Sequence, residues 1–491
     1  MKIVLIPLDD RPCNYKYPSK LFNHNDLEIV VPKKLGYKKN PTDTNYLYDF
    51  LIKECIDADG LILSIDMLIY GGLVPSRIHH DDLKILLKRL DVIKQIRDIN
   101  PSIKIYAFNC IMRCPNYSSD DEEPDYYGIC GKQIHDLGEA IHINDVDKIN
   151  QLRSSINKDY LDDYVNRRSV NLSLNIEILN YVKEGFIDEL VIPQDDSNPY
   201  GYAALDRNKI NNEITKLDLQ DKVLSYPGAD EVELTLISRM LIKTKLEMTP
   251  KVYIDYLCEE AKDVIPLYEG GSLKDSLSAH IKSAGCCVGN IDEANIVIII
   301  TAPSNDMKES WNQPAVHEGY SKRNLDRLIN SIKHYKENNK IVTIGDDAYA
   351  NGGDLKVLKL LNDNNCLLMV DGYAGWNTSA NSIGTALSMA INSYIYKECN
   401  IDFLISRYIE DFGYCSDVRR RVTDMLPNDM NYFDVKKQNG LASSLVKKEL
   451  ENFKNINLSS IASSIDINTV LMPWSRMFEI DLDVTINSNH E

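Results

Sequence analysis

The chain of 491 residues is long enough for two or three ordinary domains, or for one large barrel with an appendage. Its formal net charge of −18 argues against nucleic acid or an anionic membrane as a partner, and its 44% hydrophobic share supports a large core. No apolar run has the length of a membrane span, and residues 1–7 meet Asp9 too soon for a signal peptide. The 11 cysteines lack metal-type pairing, which predicts reduced thiols in a soluble, cytoplasmic protein.

A unit of apolar strand, polar turn and amphipathic helix recurs along the chain. The stronger predicted strands cover residues 2–7, 61–65, 103–110, 190–193, 223–226, 295–301, 341–344 and 367–370. Weaker candidates lie at 27–32 and 252–257, and the periodicity predicts one helix over 81–99. Strands that alternate with helices indicate an α/β fold with parallel sheets.

The number of strands leaves two architectures open. Eight strands would close a (β/α)8 barrel, which we slightly prefer, whereas ten suit two Rossmann-like domains that divide near residues 240–250. In either case we expect residues 1–400 to form the catalytic core and 401–491 a mainly helical C-terminal region. The long acidic excursion after residue 114 is expected to lie over the site as a lid.

Nearly every strong strand ends in carboxylates. They are Asp9 and Asp10, Asp66, Asp195 and Asp196, Asp230 and Glu231, Asp346 and Asp347, and Asp371. One acid at a helix start is usually a cap, but parallel strands bring their carboxyl ends to one edge, where we expect a single cleft. Crowded carboxylates must share protons, pair with arginines or bind a cation, and the available arginines are Arg11, Arg77, Arg113 and Arg407.

Three kinds of ligand suit such an edge. A sugar would use the acids and amides for its hydroxyls, with Tyr373, Trp376 and Trp474 to cover a ring face. A divalent cation such as Mg²⁺, with a phosphorylated or carboxylated small molecule, would use the acids as oxygen ligands. The third interpretation is a structural charge network. Zinc, P-loop and G-x-S-x-G motifs do not occur in the sequence, so no cofactor is predicted beyond the Mg²⁺ alternative.

Seven motifs give the chain a resemblance that covers nearly its whole length. They lie at 7–12 (PLDDRP), 70–77 (YGGLVPSR), 122–127 (EEPDYY), 194–201 (QDDSNPYG), 228–231 (GADE), 348–354 (AYANGGD) and 373–378 (YAGWNT). The sequence resembles a bacterial family known only as a domain of unknown function. This resemblance implies one integrated site rather than a mosaic of modules.

Residues 228–231 are also similar to the Gly-Asp-Glu strand end of β-N-acetylhexosaminidases, although the His and first Gly of that motif are missing. The similarity implies a sugar-processing hydrolase, with Glu231 as general acid and Asp230 as its orienting partner. The predicted substrate-binding residues are Asp9, Asp10, Arg11, Asp66, Arg77, Arg113, Asp195, Asp196, Asp346, Asn351, Asp371, Tyr373, Trp376 and Asn377. The alternatives are a metal-dependent enzyme and a non-catalytic ligand-binding protein, and the oligomeric state is left open.

Overall fold

The computed structural model describes residues 1–315 and 318–487. It divides into two compact units, the first formed by 1–233 with 268–271 and the second by 234–267 with 272–491. The division falls just after the start of α12 (Val232–Lys245). Over the described ranges, no helix combines the length and the apolar character that crossing a membrane would need.

The first unit is built on a parallel sheet of six strands. Its elements are β1 (Lys2–Ile6), α1 (Pro12–Tyr15), α2 (Tyr17–Leu21), β2 (Glu28–Val30), α3 (Thr44–Glu54), β3 (Gly60–Ser64), α4 (Ile65–Tyr70), α5 (Leu73–Ile78), α6 (Leu83–Leu90), α7 (Val92–Ile99), β4 (Lys104–Phe108), α8 (Tyr127–His142), α9 (Val146–Ser155), α10 (Lys158–Lys183), β5 (Glu189–Gln194), α11 (Tyr202–Lys216) and β6 (Val223–Pro227). The strand order is β2-β1-β3-β4-β5-β6, and every pair is parallel. All six carboxyl ends therefore lie at one edge, and the order reverses between β1 and β3, where open α/β sheets bind ligands.

The second unit contains a parallel sheet of five strands. Its elements are β7 (Lys251–Tyr256), α13 (Leu273–Ser283), β8 (Cys287–Val288), β9 (Ile296–Ile300), β10 (Lys308–Glu309), α14 (Glu318–Ser321), α15 (Leu328–Glu337), β11 (Ile341–Gly345), β12 (Tyr349–Ala350), α16 (Leu355–Asp363), β13 (Gly372–Ala374), α17 (Ser379–Tyr396), α18 (Ile401–Arg407), a π-helix (Tyr408–Val418), α19 (Arg419–Asp424), α20 (Leu441–Asn457), β14 (Ile465–Leu471) and β15 (Asp481–Ile486). The order β13-β11-β9-β7-β8 repeats the winding of the first sheet. Small parallel (β10 with β12) and antiparallel (β14 with β15) pairs complete it.

Buried strands explain why each sheet has a core on both faces. In β3, every side chain is buried, and β9 (IVIII) is an uninterrupted apolar run, as parallel strands covered by helices require. In the first unit, Val4 and Leu63 pack in one cluster with Leu47 and Leu86 of the covering helices. In the second, Ile298 packs with Leu277 and Leu387. Each sheet thus has its own hydrophobic core.

The structure confirms the α/β class with parallel strands. Both weaker candidates form strands, β2 and β7, and in the described ranges the pairing gives two sheets without closing either into a ring. Two separate parallel sheets are what the two-domain alternative predicts.

Two local predictions are corrected. Residues 81–99 form two helices, because the chain breaks at Asp91 between α6 and α7. Residues 367–370 are not a strand. The strand is β13 immediately downstream, where backbone pairing with β11 holds Gly372 opposite Thr343.

Candidate functional site

The loops after β1 and β6 meet over the carboxyl edge of the first sheet, although three strands separate them. Arg11 donates to both carboxylate oxygens of Asp230, from Nη2 at 2.6 Å and from Nη1 at 3.2 Å. Its Nε also donates to Asp9 Oδ2 at 2.8 Å. Asn14 Nδ2 donates to the same two acids at 2.8 and 3.1 Å. We call these four buried residues the Arg11 cluster.

A second group joins the last turn of α5 and the loops after β4 and β5 to the acidic excursion. Arg77 Nη1 and Arg113 Nη2 both donate to Glu122 Oε2, at 2.9 and 3.2 Å. Arg113 Nε donates to Glu123 Oε1 at 2.7 Å. The excursion therefore supplies acids to the carboxyl edge rather than passing beneath the sheet.

The same two arginines hold the acids that follow β5. Arg77 Nη2 donates to Asp195, and Arg113 Nη1 donates to Asp196 Oδ2 at 2.7 Å. The side chains of Asp195 and Asp196 are 20% and 25% exposed, whereas that of Asp230 is only 7% exposed. The side that a solute can reach is thus formed by this Arg77–Arg113 cluster. Its members are Arg77, Arg113, Glu122, Glu123, Asp195 and Asp196.

The backbone at Asp196 has a positive φ of 42°. A residue with a Cβ rarely adopts this conformation, and such positions concentrate at functional sites, where the surroundings hold them in place. Here the ion pair with Arg113 fixes the carboxylate. The strained backbone at Asp196 therefore directs its carboxyl group toward Arg113.

Three carboxyl groups at this edge have raised pKa values. Burial raises the pKa of Asp66 to about 6, against hydrogen bonds from Cys110 N at 2.8 Å and from Asn109. Burial, followed by the charge of Asp195, raises the pKa of Asp196 to about 6. Burial raises the pKa of Asp230 to about 6 against the opposing charge of Arg11. Carboxyl groups that titrate near neutrality can hold or release a proton at working pH.

The neighbours of Asp230 in sequence are more enclosed. Glu231 is fully buried, with 0% exposure. Burial raises the pKa of Glu233 well above its ordinary value, and its Oε1 accepts a hydrogen bond from Leu8 N at 2.8 Å. Asp10 is partly exposed. The predicted general acid, Glu231, is therefore as fully enclosed as Glu233.

The remaining predicted site residues belong to the second unit. Asp346, after β11, accepts hydrogen bonds from Thr301 Oγ1 at 2.6 Å, Tyr373 Oη at 2.8 Å and Asp354 N at 2.7 Å. Burial, followed by the charge of Asp354, raises its pKa to about 6. Arg407, also in this unit, pairs with Glu410 and Asp411. Asp346 is enclosed by its three donors.

Asp371 lies at the opposite edge of the second sheet. Because the strand begins after it, at Gly372, Asp371 precedes β13 instead of ending a strand. Its Oδ2 accepts hydrogen bonds from Val342 N, near the start of β11, at 2.8 Å and from Lys336 Nζ at 2.7 Å. Asp371 therefore links the start of β13 to the start of β11.

The contacts of Trp376, Asn377 and Asn351 stabilise the loop after β13. Trp376 is 8% exposed and donates from Nε1 to Thr385 Oγ1 at 3.2 Å, so the indole lies against α17. Asn377 donates to Asn381 at 2.7 Å, and Asn351 N donates to Asn377 O at 2.7 Å. Trp474 is buried, with the Arg476 guanidinium 4.5 Å from its ring centre.

Fold and site together define an α/β protein with two parallel sheets and an acidic, arginine-bridged carboxyl edge on the first. The chain belongs to the family described as "Protein of unknown function (DUF4127)", whose model matches residues 3–483. The resemblance seen in the sequence motifs is thereby confirmed.

Other comparisons add little. A search of the curated proteins gave no match. One similar solved structure is the dehydroquinate dehydratase and shikimate dehydrogenase from S. pombe, with 7% identity and a TM-score of 0.19. The match covers 57% of this chain and 46% of that chain, so it spans less than half of the solved structure. A TM-score this low carries no argument about fold or activity.

Sequence reasoning missed several residues of the site. The sequence places Glu122 and Glu123 in a family motif and in the expected lid but does not predict their contact with arginines, and it does not single out Asn14, Asn109 or Glu233. The available signal is that Arg77, in the last turn of α5, and Arg113, after β4, lie close to acids at strand ends. No local spacing relates Glu122 to Arg77, 45 residues away.

Proposed function

We propose that the protein is a hydrolase that acts on a sugar-type substrate at the carboxyl edge of the first sheet. The single observation that carries the proposal is Asp196, a partly exposed carboxyl group with a pKa of about 6, aimed by a positive φ and an ion pair. Such a group can protonate a leaving oxygen near neutral pH. The substrate's hydroxyls would be held by the charged groups beside it.

Glycoside hydrolysis needs a second carboxylate. Asp195 is the candidate, since it is next in the chain, 20% exposed, and paired with Arg77. Its role would be to activate a water molecule or to stabilise the positive charge that develops on the sugar ring. Arg113 would position Asp196.

Two residues compete for the role of general acid. Glu231 was favoured by the similarity of residues 228–231 to the hexosaminidases, but its side chain must become accessible before it can touch a substrate. Asp196 meets that condition in the present arrangement. We therefore assign the proton to Asp196 and keep Glu231 as its competitor.

The test is turnover of a panel of methyl glycosides, the N-acetyl-β-D-glucosaminide included, because an alkoxide leaving group needs a proton from the general acid in order to depart. Asp196→Asn should lower kcat at least about a hundredfold, because general acid catalysis contributes roughly that much or more. Glu231→Gln should retain activity. The reverse result would transfer the role to Glu231, and absence of turnover on the whole panel would contradict the proposal.

One observation favours a second candidate, a metal-dependent enzyme that acts on a phosphorylated or carboxylated small molecule. In the Arg77–Arg113 cluster, four carboxylates face two guanidiniums, an acid surplus that a divalent cation such as Mg²⁺ could balance. Activity lost in EDTA and regained with MgCl₂ would support this candidate. Activity indifferent to EDTA supports the glycosidase mechanism.

A further inference from the structure

A cavity of about 440 Å³ opens in the first unit beside the Arg77–Arg113 cluster. Its wall includes two tyrosines, acids and bases, and we call it the tyrosine cavity. The members that matter here are Lys39, Glu123, Tyr126, Tyr160, Asp163 and Arg167. This volume lies within the range of small-molecule sites in proteins.

The aromatic side of the cavity is rigid. The rings of Tyr126 and Tyr160 stack, with centroids 5.0 Å apart and planes 12° apart. Tyr126 Oη donates to Asp163 Oδ2 at 2.7 Å and accepts from Arg167 Nη1 at 3.2 Å. Arg167, itself 5% exposed, also donates to Asp163 and to His79 O. The rings are thus fixed before a ligand arrives, which reduces the entropy lost on binding.

Glu123 joins the cavity to the proposed catalytic edge. Its Oε1 is held by Arg113, and the residue is 1% exposed. Its buried Oε2 accepts no hydrogen bond from any residue in the ranges 1–315 and 318–487. A buried carboxylate oxygen without a donor is costly, so a donor brought by a ligand would be bound favourably.

The cavity wall carries both acidic and basic side chains, which disfavours the binding of anionic and of cationic ligands. An anionic ligand would meet Glu123, Asp125 and Asp163, and a cationic one would meet Lys39 and Arg167. A neutral polyhydroxylated ring avoids both repulsions, since each hydroxyl can donate to a carboxylate and accept from a cation. Its apolar face can lie on the tyrosine rings, whose bodies are apolar.

We propose that the tyrosine cavity binds a neutral sugar ring and forms a second subsite next to the Arg77–Arg113 cluster. This inference rests on the proposed function, because it assigns the cavity to a neighbouring ring of the same substrate. Glu123 belongs both to the wall of the tyrosine cavity and to the Arg77–Arg113 cluster.

Isothermal titration calorimetry on the full chain tests it, with D-glucose and N-acetyl-D-glucosamine as neutral probes. The cation D-glucosamine and the anion D-glucuronate serve as charged counterparts. We expect saturable binding of a neutral probe, weaker binding of both ions, and a loss of at least about tenfold in affinity for Tyr160→Ala. Tyr160→Phe should bind like the wild type because it keeps the ring. Tyr48→Ala, at a partly exposed tyrosine of α3 outside the cavity wall, is the matched control.

Different results would refute the cavity proposal and the hydrolase proposal. Sugar binding that depends on Tyr160, without turnover, supports the cavity and contradicts the hydrolase. Turnover that depends on Asp196, with KM unchanged in Tyr160→Ala, supports the hydrolase and overturns the cavity. Failure of both neutral probes to bind also overturns it.

Discussion

At the scale of single residues, guanidinium groups hold the carboxyl edge of the first sheet together. Arg11 engages Asp9 and Asp230 while all three side chains are 6–7% exposed. A charge removed from water must be compensated, and a forked guanidinium compensates a carboxylate in two places at once. The pairing explains how acids can crowd this edge without forcing it apart.

Removal of Arg11 should therefore be costly. We expect Arg11→Met to lower the free energy of unfolding by about 3–5 kcal/mol, because two buried acids lose their partner. Adding Asp230→Asn to that variant should recover part of the loss. Urea denaturation monitored by circular dichroism measures both.

The matched control is Lys132→Met, which breaks the exposed pair with Asp136 on α8. Exposed pairs contribute less than about 1 kcal/mol. A loss for Arg11→Met no greater than that of Lys132→Met would contradict the role given to Arg11.

At the scale of elements, the second unit shows how closely its polar loops pack. The ring of Tyr373 in β13 stacks on Phe412 of the π-helix, 4.4 Å between centroids, and its hydroxyl donates to Asp346. Gly353, in the loop before α16, lies directly against both rings. The loop, the strand and the π-helix are thus one packed unit.

An added methyl group should disturb this contact. A Cβ at position 353 would come 2.1 Å from Tyr373 Oη and 2.7 Å from Phe412 Cδ1. Gly353→Ala should therefore lower the free energy of unfolding by about 1–3 kcal/mol, as overpacking does. Gly271→Ala is the control, since a Cβ there meets nothing within 4 Å. Equal thermal midpoints for the two variants would refute the close packing.

Three strands, β3, β9 and β13, show which parts of the fold can be predicted from the sequence. β3 and β9 were predictable because a buried parallel strand is a plain apolar run. β13 was misplaced because Leu367–Val370 is equally apolar, and only pairing with β11, a tertiary contact, decides which residues extend.

The site likewise has one feature that the sequence predicts, the shared sheet edge, and one that it does not, the pairing of acids with arginines. That Asp9, Asp66, Asp195 and Asp230 would share an edge follows from parallel strands. Which acid meets which arginine depends on an excursion whose path no local pattern records. Sequence alone also placed Asp371 at a strand end, whereas the strand begins there.

At the scale of the whole molecule, buried acids make stability depend on pH. Asp66 has a pKa of about 6 when folded, against about 4 when unfolded. The folded state therefore holds its proton longer, so this contribution is complete below pH 4 and is lost as the pH rises through 6. Its size is at most about 3 kcal/mol for a shift of this extent.

The Asp66→Asn variant should lack this dependence. Its amide oxygen can still accept from Cys110 N, so the fold should persist, while the free energy of unfolding relative to wild type should rise between pH 4 and pH 7. Guanidinium chloride titrations at several pH values give the comparison. Parallel curves for the two proteins would show that Asp66 ionises in the folded state as it does in water.

The measurement that tests the central claim most directly is the pH dependence of kcat/KM on an active methyl glycoside, whose leaving group must be protonated. If Asp196 donates the proton, its pKa of about 6 sets the alkaline limb, so kcat/KM should fall as the pH rises through about 6. In Asp196→Asn that limb should be absent from the residual activity. A limb that persists in Asp196→Asn, or activity that rises through pH 6, would contradict the assignment of Asp196 as the general acid.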